Sequence, residues 1–233
     1  MTHHIFCRRC LLGALFLATY FGVHGSVANA ALLPVGGIQS PAVSEPDPLN
    51  ATRLQGGTVR FLGSGFSGTL TSTVWTNDTS NPFGADRLTF TYLLTNDAAS
   101  LYNLSQLGIA SFAGNLTDVS YAPFELLGGP PSVPLLRAVR PTADLIEFRF
   151  PDFSIPEDTS GLLMPGRLSK LLVVQTDATA FSGTEAVVTT FATGSAVTVH
   201  SFAPLTAIPE PSALILAAIG AVGLFALVRR PDK

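Results

Sequence analysis

His200, in "AVTVHSF", is the one histidine downstream of residue 30. A Ser–His–Asp hydrolase would have to use it as general base. No G-x-S-x-G elbow stands between a strand-like and a helix-like stretch, and a strand histidine facing solvent is the simpler reading. Glu125, Glu147, Glu157, Asp158 and Asp177 could in principle supply a glycosidase carboxylate pair. Spacing does not say which of them converge, so they read as surface carboxylates, Glu147 beside Arg149 on the polar face of a strand. Calcium needs about six to eight oxygens, often from clustered Asp and Asn. "TNDTSN" (76–81) and "TND" (95–97) carry such atoms. No EF-hand or nonapeptide repeat accompanies them, and Asn and Asp also populate turns for backbone reasons. No cofactor is expected, calcium being the one ion left open.

Recognition is the other chemistry available. Trp75, Tyr92 and Tyr121 could form a platform on which sugar rings stack, because aromatic faces offer flat apolar area. The competing reading is core packing. Thr69, Thr71 and Thr73 alternate along one strand, but a flat ice-binding face needs stacked ranks, and solvent-facing threonine is common in strands. Asn-x-Ser/Thr sequons begin at Asn50, Asn77, Asn103 and Asn115 and fit surface loops.

The ends limit the chemistry further. "MTHHIFCRRCLLGALFLATYFGVHGSVANA" has Arg8 and Arg9, then an apolar run, then Ala28-Asn29-Ala30 as an A-x-A exit. That is a secretory signal peptide, cut by signal peptidase after Ala30. The arginine pair also suggests twin-arginine export, but Cys7 precedes it, and general secretion is the favoured route. Cleavage would remove Cys7 and Cys10, the only cysteines. The exported chain then has no disulfide, no thiol nucleophile and no Cys/His zinc site. Its body, residues 31–208, holds 8 Lys/Arg against 14 Asp/Glu. An acidic body argues against nucleic acid as a partner.

The far end reads "IPEPSALILAAIGAVGLFALVRRPDK". Residues 212–228 form an apolar run that would span about 26 Å as a helix. With Ile208–Pro211 it approaches the length needed to cross a bilayer, and Arg229 and Arg230 place the short tail inside. A plain membrane anchor does not account for Pro209-Glu210-Pro211, where the prolines enforce an extended strip. The three parts together resemble the PEP-CTERM sorting signal of Gram-negative bacteria. The same tail is also called the ice-binding protein C-terminal domain. The resemblance implies recognition by exosortase, an integral-membrane protease or transpeptidase, at Pro209, Glu210, Pro211, Arg229 and Arg230. It also implies transient inner-membrane anchoring, removal of the helix, and release to the cell surface or extracellular polysaccharide matrix.

The segment between must therefore fold as an exported unit. "LTFTYLLTND" alternates Leu88, Phe90, Tyr92 and Leu94 against Thr89, Thr91, Leu93 and Thr95, a half-buried strand ended by Asn96-Asp97. "DLIEFRF" points Ile146, Phe148 and Phe150 inward, and "RLSKLLVVQTDA" reads as a buried central strand. "GTVRFLGSGFSGTLTSTVWTN", "AVVTTFATG" and "SAVTVHSFAP" supply further strands. Residues 34–50 read as an extended linker or edge crossing, and "GGPPSVP" and "PDFSIPEDTSGLLMPG" as long loops. The expected fold is all-β, an antiparallel β-sandwich, with a signal helix before it and a single transmembrane helix after it. The expected division is signal peptide 1–30, linker or edge segment 31–55, β-sandwich 56–207 and sorting signal 208–233. The body also resembles, more loosely, a recurrent PEP-CTERM passenger type to which no active residues attach. A non-enzymatic structural or adhesive surface protein is expected, with a carbohydrate-binding module as the alternative and a secreted hydrolase as the less favoured third.

Overall fold

Period-two patterning becomes strand throughout the residues that the computed structural model describes: 32–40, 44–46, 48–122, 132–151, 162–191 and 193–205. The signal segment, Ala28 and Ala30, the 212–228 run and all five sorting residues lie outside them. The strands are β1 (Ile38–Gln39), β2 (Thr52–Gly63), β3 (Phe66–Thr76), β4 (Thr89–Asn96), β5 (Leu104–Ile109), β6 (Thr117–Ala122) and β7 (Ser132–Val133). They continue as β8 (Arg137–Val139), β9 (Ile146–Arg149), β10 (Leu168–Ser169), β11 (Leu171–Thr176), β12 (Phe181–Thr190) and β13 (Ala196–Pro204). Among the described residues there is no regular helix, and none long and apolar enough to cross a membrane.

Two sheets form. One runs β1-β8-β9-β5-β12-β13, antiparallel throughout. The other runs β2-β3-β4, then β10 and β11, with β6 beyond β11 and β7 beyond β10. The sequence expectation of a wholly antiparallel fold needs one correction, because β7 pairs parallel to β10. That strand arises inside "GGPPSVP", where a loop is expected; two residues are too short to carry a period, so pairing rather than pattern defines them. Between β10 and β11 the ladder breaks at Lys170, and the Ser169 hydroxyl takes the Leu94 N–H at 3.0 Å in place of a backbone acceptor.

The sheets share one core. Leu70, Val74, Phe90, Tyr92 and Leu94 on the first sheet, and Leu107, Ile109, Ile146 and Phe148 on the second, are all fully buried. Each such side chain stabilises the fold by roughly 1.5–3 kcal/mol. Ring contacts cross between the layers at 6.2 Å (Tyr92 on Phe148), and Phe90 meets Phe112 edge-on at 6.3 Å. The Tyr92 hydroxyl donates to the Phe202 carbonyl on β13 at 2.8 Å, binding sheet to sheet. The β2–β3 turn needs glycine at position 65 twice over. Its φ is +77°, and a Cβ there would stand 2.6 Å from the Tyr102 ring.

β4 departs from the half-buried expectation, since Thr89 and Thr91 on its outer face are buried too. Both hydroxyls are met by neighbours: Thr89 Oγ1 donates to Asp78 Oδ2, and Thr91 Oγ1 accepts the Trp75 indole N–H. Ser44 bridges in parallel to Tyr121 at the β6 edge, and Glu45 N–H donates to the Tyr121 carbonyl. Leu49 N–H meets Asp78 Oδ1 at 2.9 Å, and Thr79 N–H meets the Leu49 carbonyl, just beyond β3. Arg53, Thr58 and Arg60 on β2 remain exposed.

A second tie is Arg140, buried just after β8. Its Nη1 donates to the Leu33 carbonyl and Thr117 Oγ1, and its Nη2 to the carbonyls of Phe112, Asn115 and Ala143. At the other terminus β13 ends at Pro204, and Leu205 N–H donates to the Ala180 carbonyl at 3.0 Å.

Candidate functional site

Register decides which side chains can act together. Directly opposed residues in neighbouring strands project to the same face. Trp75 stands opposite Arg53 on β2 and Thr89 on β4, so these three share the outer face of the first sheet. Tyr92 stands opposite Ser72 and Leu172, and Leu172 opposite Tyr121, which places both tyrosines on the inner face. Tyr92 is wholly buried, and burial pushes its phenol well above the ordinary value. Tyr121 is half-buried against the core. The expected platform of Trp75, Tyr92 and Tyr121 is therefore split across the sheet, and Trp75 alone of the three faces outward.

Trp75 has other companions. Its indole N–H donates to Thr91 Oγ1 at 2.9 Å, which fixes the ring's orientation. Arg53 is exposed and has no ion-pair partner among the described residues. Its guanidinium lies over Gly56, where a Cβ would stand 2.7 Å from Arg53 Nη2 and 2.9 Å from Thr73 Oγ1. Glycine thus makes the space in which a flat cation sits beside Thr73. Along the same face, Thr58 and Thr71 hydroxyls bond at 2.7 Å, and Arg60 Nη2 reaches Asp97 Oδ2 at 3.1 Å. β2, β3 and β4 contain no Asp or Glu. The face offers an aromatic plane, a cation and hydroxyls, which is equipment for holding a ligand. Arg53 carries no signal in the sequence, because only the pairing with Trp75 distinguishes it from other exposed arginines.

The remaining candidates fall apart from one another. His200 is exposed on β13 opposite Glu185, its ring edge-on to Phe202 at 5.6 Å. Glu147 is held by Arg149. Asp177 Oδ1 accepts Leu116 N–H, while Glu125, Glu157 and Asp158 lie outside the described residues. In "TNDTSN", Asp78 Oδ1 accepts the Leu49 and Ser80 N–H groups and the Ser80 hydroxyl. Its Oδ2 accepts Thr89 Oγ1 and Gln175 Nε2. Burial pushes this carboxyl's pKa up, but the hydrogen bonds outweigh it and leave the pKa below its ordinary value. These donors fill the lone pairs that a calcium ion would need. In "TND", Asp97 Oδ2 is shared by Ser67 and Arg60. Among the described residues no three His, Cys, Asp or Glu side chains converge as a metal-ligand set.

The comparisons speak to the other end of the chain. Residues 207–230 match the PEP-CTERM protein-sorting motif. The chain is an exported protein carrying a C-terminal sorting signal. That signal is the PEP-CTERM motif, which marks the protein for exosortase processing and sorting to the cell surface. Pro209, Glu210, Pro211, Arg229 and Arg230 all fall inside the matched segment. No curated protein and no solved structure matches the chain.

Proposed function

We propose that the protein is a structural or adhesive component of the cell surface or extracellular matrix. Its signal peptide is removed after Ala30, its C-terminal apolar segment holds it transiently in the inner membrane, and exosortase releases the β body outward. The match at 207–230, directly after the last strand, carries this reading. The role is non-enzymatic, and no cofactor takes part. Glu210→Ala, or Arg229→Ala with Arg230→Ala, leaves unprocessed protein in the membrane fraction. Mass spectrometry of the C-terminal peptide in membrane and extracellular fractions tests this. Normal maturation of both variants removes the exosortase assignment's main support, and an intact Lys233 found only in membranes makes the tail a permanent anchor.

A second reading, carbohydrate binding by the body, is favoured by one observation. Trp75 faces outward with its ring fixed, beside an exposed arginine that has no ion-pair partner among the described residues.

A further inference from the structure

We infer that the outer face of β2, β3 and β4 binds an anionic, uronate-type polysaccharide, with Trp75 as the stacking ring and Arg53 as the carboxylate-binding cation. The inference rests on the carbohydrate-binding reading of the body and adds the ligand's charge.

Charge complementarity selects this class of ligand. The body is acidic overall, yet these three strands carry Arg53 and Arg60 and no carboxylate. On this face a polyanion meets Arg53, which is exposed and has no ion-pair partner among the described residues, with no carboxylate on the three strands to repel it. Arg60 is partly spent on Asp97, so Arg53 supplies the free charge. A guanidinium binds a carboxylate through two parallel N–H groups, and Gly56 leaves the space that lets this one lie beside Thr73.

The geometry fits a chain rather than a small molecule. From Thr69 to Trp75 the outer face extends about 20 Å along β3, with Thr58, Thr69 and Thr71 presenting hydroxyls beyond the arginine. The indole N–H is committed to Thr91, which fixes the half-buried ring in one orientation on this face, and an aromatic plane stacks on a sugar's C–H face. Ring, cation and hydroxyls then follow one line, as a repeating acidic glycan would require. Arg53, Thr58 and Arg60 on this half of the sheet are exposed.

The test uses the full chain in detergent micelles, with polygalacturonate and dextran as probes and binding measured by calorimetry at several salt concentrations. Polygalacturonate binds and dextran binds at least tenfold more weakly. Arg53→Gln lowers the polygalacturonate affinity by about tenfold or more, the worth of one charge-assisted hydrogen bond, and flattens its salt dependence. Trp75→Ala weakens both probes, with circular dichroism checking that the sheets persist; Arg53→Gln, at an exposed site, keeps the test decisive if Trp75→Ala does not fold. Arg149→Gln removes the same charge from the other sheet and leaves binding unchanged. The inference is overturned by equal binding of dextran, by an unaffected Arg53→Gln, by an equal loss in Arg149→Gln, or by folded protein that binds neither probe. Equal binding of both probes lost in Trp75→Ala would keep the carbohydrate-binding reading while removing the charge claim; binding of neither removes both.

Discussion

Arg140→Met should cost the fold about 1–2 kcal/mol, for a reason specific to the shape of the guanidinium. The native side chain is buried with five hydrogen bonds, four of them to backbone carbonyls, and burial depresses its pKa while Asp177 opposes that shift. Methionine fills similar space but donates nothing. The Leu33 carbonyl would keep Thr117 Oγ1 at 3.1 Å, and the Phe112 carbonyl would keep the Asn115 N–H at 3.1 Å. The carbonyls of Asn115 and Ala143 lose the Arg140 bond with no other donor to them among the described residues. Stranding a buried acceptor costs about 1–3 kcal/mol, but Asn115 is half-buried and Ala143 exposed, so water meets part of that loss and the pair falls near the low end. Relief from burying a cation offsets some of the loss. Urea denaturation of the full chain, followed through the fluorescence of Trp75, the only tryptophan, should show a lower midpoint with an unchanged slope. In a thermal melt the shift is about 2–8 °C for a domain of this size. Arg140→Lys should recover little, because an ammonium cannot face four carbonyls at once. A methionine variant as stable as the wild type, or a lysine variant fully restored, would refute the reasoning: the first means water replaces the fork, the second that charge alone matters.

Three further outcomes follow from the hydrogen bonds. Tyr92→Phe deprives the Phe202 carbonyl of its cross-sheet donor and should cost about 1–2 kcal/mol in the same urea assay; in the wild type, tyrosinate absorbance from this residue should appear only on unfolding, since burial raises its pKa. Asp78 has a folded-state pKa below its unfolded value, so its contribution is present above the ordinary carboxylate pKa and is lost as pH falls through the lowered value. Asp78→Asn should therefore lower stability at neutral pH and converge with the wild type in acid, which urea midpoints at both pH values would measure. Ser169→Ala removes the acceptor for the Leu94 N–H at the ladder break and should speed amide exchange at Leu94 relative to its neighbours in β4.

The class of fold was readable in the sequence wherever alternation ran long enough. Phe90, Tyr92 and Leu94 face the core as their spacing requires, and Ile146 and Phe148 do the same. What alternation does not carry is register. Trp75 and Tyr92 look equally available in sequence, and only the pairing of Trp75 with Thr89 puts them on opposite faces. The burial of Thr89 and Thr91 was hidden for a related reason: their partners, Asp78 and Trp75, meet them only through the turn after β3 and the β3–β4 pairing, and neither leaves a mark in alternation. Oxygen-rich "TNDTSN" was legible as a turn, but not the inward direction of its donors. Arg140 looks like any surface arginine in "RAVRPTAD". The sorting tail was the opposite case, because its information lies in contiguous residues and needs no folding to be read.

Leu205, bonded to Ala180, is the last residue described, and Pro209 follows four residues later. Fully extended, that length of chain reaches at most about 14 Å. Two packed sheets lie about 10 Å apart, so the leash is of the same order as the spacing between the layers it follows. A processing enzyme that reads Pro209-Glu210-Pro211 would thus have to reach within a short span of the folded body. Inserting a few residues after Leu205 lengthens that span without touching either β13 or the motif, and following maturation of such a variant shows how far the closeness of the body governs its processing.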